Sequence, residues 1–115
     1  MNQEIPPAVI CKEAVNEGCS LCQSAAELFI AIYGAEVGNL ALKIMALGGV
    51  YMGGGMTKQL FSLFQKYKLN DRFLAKGRLT PLMRKIPLKV ILNENISLYG
   101  AYRAIDVKLK NHAII

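Results

Sequence analysis

Mostly apolar residues recur every three or four positions through the first half of the chain, which is the spacing of one helix face. Pro6 and Pro7 suit the first turn of a helix, and Gly18 suits its end. A second, longer helix is predicted to begin at Ser20, whose hydroxyl would form a capping box with Gln23. Its recurring positions are Leu21, Ala25, Leu28, Ile32, Ala35, Asn39, Leu42 and Met45.

Two glycines, Gly34 and Gly38, lie one turn apart on a single face of this second helix. Each costs on the order of 1 kcal/mol relative to alanine in the interior of a soluble helix. Close approach of a neighbouring backbone would explain why that cost is accepted. We therefore predict that another element packs directly against the helix at these two positions.

The second half of the chain changes to a strand and helix pattern. Val50–Met52 is a short run suited to a buried strand, and Leu88–Leu92 follows Pro87 as a second strand. A last helix is predicted from Ile96 to about Leu109. Three helical segments are predicted between the strands. The first begins at Thr57, and the two shorter ones span Asn70–Lys76 and Pro81–Ile86. Strand, helices, strand and helix predict an α/β fold with two parallel strands joined by a right-handed crossover.

The predicted sheet is small for the number of helices that would cover it. Parallel strands are normally covered on both faces, and about three strands are needed for an independently stable sheet. Apolar residues make up 53% of the chain without glycine, above the roughly 45–50% of a typical domain with glycine included. We therefore predict an incomplete α/β domain that self-associates through an open sheet edge and apolar surface.

Charge and hydropathy limit the classes of partner that the chain is expected to bind. The longest apolar stretch, 28–56, is interrupted by Glu36, Asn39 and Lys43, whereas a membrane span needs roughly 20 apolar residues. We expect no membrane partner and a cytoplasmic protein. The net charge is +6, with the excess between Lys66 and Lys89. These cations alternate with apolar residues at helical spacing, so we expect a solvated face; a basic nucleic-acid-binding domain is the disfavoured alternative.

Three cysteines, Cys11, Cys19 and Cys22, provide the possible thiol chemistry. The Cys19-x-x-Cys22 pair could be a redox motif or half of a zinc site. A second ligand pair is missing, because His112 is the only histidine. Since free cysteines are usually buried, we predict plain buried thiols on a helix and no metal site.

The candidate binding site is the turn between the first strand and the helix from Thr57, formed by Gly53, Gly54 and Gly55. A helix N-terminus presents free N–H groups to an anion, and glycines allow a ligand to approach the backbone. Lys58 in the first turn would face a phosphate. Spacing alone leaves open a tight turn without a ligand, since the run matches neither common phosphate-binding fingerprint. No catalytic set of side chains is recognisable.

Five segments, read together, resemble bacterial glucokinases of the hexokinase-type, actin-like ATPase fold. They occur in the same order as in that family, and the likeness runs from about Pro6 to Lys110. The segments are Gly38-Asn-Leu-Ala-Leu42, Leu47-Gly-Gly-Val-Tyr-Met-Gly-Gly-Gly-Met56, Phe73-Leu-Ala-Lys-Gly-Arg78, Ile86-Pro-Leu-Lys-Val90 and Asn95-Ile-Ser-Leu-Tyr-Gly100.

This resemblance implies ATP-dependent phosphorylation of glucose at its 6-hydroxyl, with Mg²⁺, by the complete enzyme. Residues 1–115 would be a C-terminal segment of the large domain, an incomplete actin-like ATPase (ribonuclease H-like) unit. The glycine run would lie against the adenosine part of ATP. Gly54 and Gly55 match the family best, Gly53 falls where some members carry alanine, and Lys58 would be near the nucleotide.

The departures from the family pattern concern catalysis. The Asp-x-Gly-Gly-Thr phosphate loop, the aspartate base and the Glu-x-x-His sugar motif have no counterpart in this sequence. We therefore expect no kinase activity from this chain alone, and expect the missing N-terminal part of the enzyme as a partner. The alternative is a naturally short, non-catalytic nucleotide-binding or interaction module.

Overall fold

The computed structural model describes residues 6–112, so residues 1–5 and 113–115 of the predicted 1–115 unit lie outside the described part. The elements are α1 (Pro7–Val15), α2 (Ser20–Lys43), β1 (Val50–Met52), α3 (Gly55–Lys66), α4 (Leu69–Leu74), α5 (Thr80–Met83), β2 (Leu88–Val90) and α6 (Ile96–His112). A 3-10 turn, Gly77–Leu79, precedes α5. The α/β class and the predicted order of elements are confirmed.

The two strands pair in parallel, as predicted, with Val50 opposite Leu88 and Met52 opposite Val90. The Ile91 N–H extends the ladder by donating to the Met52 carbonyl at 2.7 Å. Strand β2 ends at Val90 rather than at the predicted Leu92. The reason is that β1 ends at Met52, so the residues after Ile91 have no opposing strand.

Helix α2 packs against both α1 and α4. A Cβ atom at Gly34 would lie 2.8 Å from the carbonyl oxygen of Leu69, and one at Gly38 would lie 2.7 Å from that of Phe73. Both oxygens belong to the backbone of α4. The predicted close approach at the two glycines is therefore confirmed.

The starts and ends of the first three helices differ from the predictions. Ser20 is the first helical residue of α2, and the cap is Cys19, whose sulfur accepts the Cys22 N–H at 3.3 Å. After α1, the left-handed residue is Glu17 (φ 57°) rather than Gly18. Helix α3 begins at Gly55, two residues before the predicted Thr57, because the glycine turn itself closes the first helical turn.

Two apolar clusters form the core. The first joins α1, α2 and α3 around Ile30 and Leu60, and the second joins the end of α2 to α4 and α5 around Phe73 and Met83. In α3, Phe61 lies on the solvent side and is 46% exposed. The buried face of α3 is centred on Thr57, Leu60, Leu63 and Phe64.

Apolar side chains remain exposed on α6 and on the outer face of α2. Leu21 is 77% exposed, and Leu98 and Tyr102 in α6 are about equally open. By length and composition α2 could cross a membrane, but the core helix of a soluble protein passes the same test. Ile30 and Ala41 of α2 lie in the two core clusters, and about a third of its most apolar stretch is buried in the structure.

Candidate functional site

A cleft of about 450 Å³ lies between the N-terminus of α3 and the segment that connects β2 to α6. Both walls come from residues that directly follow a strand. The lining residues are Gly54, Gly55, Lys58, Gln59, Ile91, Leu92, Asn93, Glu94, Ile96 and Ser97.

The glycine turn gives this cleft an open backbone wall. Gly54 is the N-cap of α3 with φ 107° and ψ 170°, a conformation that residues with a Cβ rarely adopt. Its carbonyl accepts the Lys58 N–H at 3.2 Å, which closes the first turn. A Cβ atom at Gly54 or Gly55 would meet no other atom within 4 Å. The turn thus presents main chain, and not side chains, to the cleft.

Gly53 differs from the other two predicted glycines because it does not line the cleft. A Cβ atom there would lie 3.6 Å from the Cβ of Ile91, an ordinary contact. Its carbonyl accepts the Thr57 hydroxyl at 3.2 Å. Of the three glycines, the structure therefore brings Gly54 and Gly55 to the cleft and leaves Gly53 outside its lining.

Helix α2 holds the glycine turn in position through a partly buried hydroxyl pair. The Tyr33 hydroxyl and the Thr57 Oγ1 are 2.9 Å apart, and Thr57 is only 3% exposed. Because Thr57 also bonds to Gly53, the chain Tyr33–Thr57–Gly53 connects the long helix to the turn. The cleft wall is thereby fixed to the core.

Lys58 lines the cleft and forms an ion pair with Glu94 on the opposite wall. The hydrogen bond from Lys58, followed by its charge, lowers the pKa of the Glu94 carboxyl. A cation in the first turn opposes the helix dipole, and Glu94 compensates for it. Both side chains are largely exposed, at 48% and 69%, so a ligand could displace the pair.

Sequence reasoning missed the second wall, which includes Leu92 and Glu94. Within this wall, the Asn93 Oδ1 accepts the Asn95 N–H at 2.9 Å. The signal was available in the topology. The carboxyl ends of parallel strands meet at the same edge of a sheet, and ligands of open α/β sheets bind there.

Chemically, the cleft combines an apolar wall with a polar one. Ile91, Leu92 and Ile96 can contact a flat apolar group, whereas the free N–H groups of the α3 N-terminus suit an anion or a polar edge. Its volume lies within the roughly 300–1,000 Å³ of small-molecule sites. Among residues 6–112, no cluster of three or more His, Cys, Asp or Glu side chains could hold a metal ion.

The cysteines and the basic segment lie away from this cleft. The prediction of buried thiols holds for Cys11, which is 5% exposed, and is wrong for Cys19 and Cys22, which are only half-buried. The reason is that both sit at the exposed start of α2. In the basic segment, Lys66 pairs with Glu17 at 2.6 Å on the surface.

The family model described as glucokinase matches residues 1–108 of this sequence. The chain belongs to the glucokinase family. The resemblance of the five sequence segments is thereby confirmed, and the glycine turn and its cleft are features of a glucokinase-family chain.

Individual relatives agree with this assignment. The glucokinase of a Nostoc species is 43% identical over 96 residues, which cover 84% of this chain and 28% of the relative. The glucokinase of Neisseria gonorrhoeae is 35% identical over 108 residues, covering 94% of this chain and 33% of the relative. The chain thus spans about a third of the length of these curated relatives.

A solved structure gives the same result for the fold. The crystal structure of glucokinase from an Antarctic psychrotroph superposes with a TM-score of 0.76 and 28% sequence identity. The match covers 89% of this chain and 32% of that one. The arrangement of helices around the two parallel strands is therefore similar to part of a glucokinase.

Proposed function

We propose that this chain forms the adenosine side of the nucleotide site in an ATP-dependent glucokinase. The observation that carries the proposal is the open glycine turn of Gly54 and Gly55 at the N-terminus of α3, in a chain of the glucokinase family. A Cβ atom at either glycine would project into free space at the cleft, which is the room that a nucleotide would need.

The residues at the cleft fit the parts of a nucleotide. Ile91, Leu92 and Ile96 form an apolar wall suited to a base, and the main chain of the glycine turn would lie against the nucleoside. Lys58 would exchange its contact with Glu94 for a phosphate oxygen. Mg²⁺ would act in the complete enzyme by neutralising phosphate charge, and we assign no magnesium ligand to this chain.

Phosphoryl transfer would require residues that this sequence does not contain. The reaction depends on positioning and on electrostatic stabilisation of the transferred group. At the cleft, Lys58 is the lining residue with a positive charge, and Glu94 neutralises it. We therefore propose that this chain alone does not phosphorylate glucose, and that its catalytic partner is the preceding part of the enzyme.

The same proposal accounts for the small sheet and the exposed apolar surface. The chain would be a C-terminal segment of a cytoplasmic, actin-like ATPase domain, whose further strands and helices would cover α6 and the sheet edges. The coverage of about a third of each longer relative supports this placement.

Nucleotide binding by the purified chain tests the site assignment. The variant Gly55→Leu would fill the cleft from the first helical position of α3, where the structure records no left-handed backbone. Gly54 is less suitable, since any side chain is strained at its φ of 107°. Gly48→Leu is the matched control, because a Cβ atom there also meets nothing within 4 Å and lies away from the cleft.

Titration with a fluorescent ATP analogue should show binding to the wild-type chain and to Gly48→Leu, and at least about tenfold weaker binding to Gly55→Leu, because about 1.4 kcal/mol of contact is lost. Equal binding by both variants would reject the site. A coupled assay for glucose 6-phosphate tests inactivity separately. Glucose-dependent turnover by this chain would contradict the inactivity and leave the nucleotide site standing.

A further inference from the structure

A pair of thiols lies at the start of α2, away from the nucleotide cleft. Cys19 is the N-cap of this 24-residue helix, and Cys22 occupies its first turn. Both side chains are half-buried, and neither lines the cleft. They are therefore accessible to a small reagent and are not used by the proposed function.

The geometry makes the two thiols unequal. The Cys19 sulfur accepts the Cys22 N–H at 3.3 Å, in the place where a serine hydroxyl usually caps a helix. A thiolate at this position is favoured by the positive end of the helix dipole. Cys19 is thus arranged as the nucleophile, and Cys22 lies one turn into the helix as the second thiol.

The ionisation of the pair follows the same asymmetry. The hydrogen bond from the Cys22 thiol, and then the Cys22 N–H, lowers the pKa of Cys19. The pKa of Cys22 is raised, mainly because its proton is held by Cys19. The Glu13 carboxylate of α1 opposes ionisation of both thiols, and its effect is the smallest among the causes.

We propose that Cys19 and Cys22 form a reversible intrachain disulfide by exchange with a small-molecule disulfide. The Cys19 thiolate attacks one sulfur of that disulfide, forming a mixed disulfide and expelling one thiolate. Cys22 then loses its proton and attacks the Cys19 sulfur, which expels the second thiolate. Two electrons pass from the protein dithiol to the reagent, which leaves as two thiols.

The third cysteine provides an internal contrast. Cys11 is 5% exposed, and its thiol lies 3.8 Å from the Met56 sulfur in the core. Burial raises the pKa of the Cys11 thiol. Because exchange requires an accessible thiolate, Cys11 should stay reduced under conditions that oxidise the pair.

The test uses the full chain with glutathione disulfide at pH 7, followed by alkylation and peptide mass spectrometry. Wild type should yield the Cys19–Cys22 disulfide and a reduced Cys11. Cys22→Ser should stop at a glutathione adduct on Cys19. Cys19→Ser keeps a capping hydroxyl, so the fold should survive, while Cys22 should form its adduct more slowly. Circular dichroism checks that each variant is folded.

The initial rates with iodoacetamide give a second readout. A lowered pKa increases the fraction of thiolate but reduces the nucleophilicity of that thiolate. Cys19 should therefore react about threefold faster than Cys22 for each unit by which the pKa of Cys19 lies below that of Cys22. Equal rates at the two positions would overturn the proposal. So would wild-type protein that retains a glutathione adduct without forming the Cys19–Cys22 bond.

Discussion

The contact between α2 and α4 at Gly34 allows a quantitative test of the fold. In Gly34→Ala the new Cβ atom would lie 2.8 Å from the Leu69 carbonyl oxygen and 3.0 Å from the Arg72 Cβ. Ordinary contacts begin at 3.4 Å, so one of the two helices must move. The oxygen belongs to the backbone of α4, and α4 carries the buried Leu69 and Phe73 with it.

Two opposing effects set the magnitude at Gly34. Overpacking in a core costs about 1–3 kcal/mol, and alanine gains about 1 kcal/mol over glycine in helix propensity. The difference spans about 0–2 kcal/mol. Because the clash is with main chain that cannot rotate away, we expect the upper half of that range, a net destabilisation of about 1–2 kcal/mol. That corresponds to a fall in melting temperature of about 4–8 °C for a chain of this size.

Thermal unfolding followed by circular dichroism at 222 nm measures this change. The matched control is Gly100→Ala in α6, where a Cβ atom meets nothing within 4 Å. This control should raise the helical signal and leave the melting temperature of the core unchanged or slightly higher. A Gly34→Ala protein that melts at or above the wild-type temperature would refute the close approach of α2 and α4.

Three further predictions concern charge and surface. Lowering the pH should remove the stabilisation from the Glu17–Lys66 pair, because the hydrogen bond from Lys66 lowers the pKa of Glu17. The contribution of the pair to stability is full above the ordinary carboxyl pKa of 4.5 and is lost as the pH falls through the lower pKa of the folded state. Glu94→Gln should release Lys58 and tighten the binding of an ATP analogue, whereas Lys58→Met should weaken it. Self-association, seen by light scattering, should decrease in Tyr102→Glu, because this side chain is 70% exposed on α6.

Each of these three has a clear negative result. Carbon-detected NMR titration of Glu17 should give an unshifted pKa in Lys66→Met, and an unshifted value already in wild type would contradict the ion pair. Equal nucleotide affinity in Glu94→Gln and Lys58→Met would show that Lys58 does not contact the ligand. A monodisperse monomer at high concentration in the wild-type chain would remove the case for self-association.

Local signals in the sequence predicted the elements well. These signals are the apolar spacing of α2, the run Val50–Met52 and the glycines after it. Each depends on residues that are close in the chain, which is the order that helix and strand periodicity describes. Gly34 and Gly38 carried a tertiary signal as well, because their helix-propensity cost had to be offset by a close contact. The cap of α2 was predicted at Ser20 and lies one position earlier, at Cys19, since a thiol is a rarer cap than a hydroxyl.

The α/β class, the order of the elements, the glycine turn and the glucokinase resemblance all follow from the amino-acid sequence. The residues that meet across the cleft do not, since Glu94 reaches Lys58 from 36 positions away. The same holds for the position of Gly53 outside the cleft and for the cap of α2 at Cys19. Periodicity and propensity describe neighbours along the chain, whereas a site depends on contacts that exist only once the strands have paired and the helices have packed.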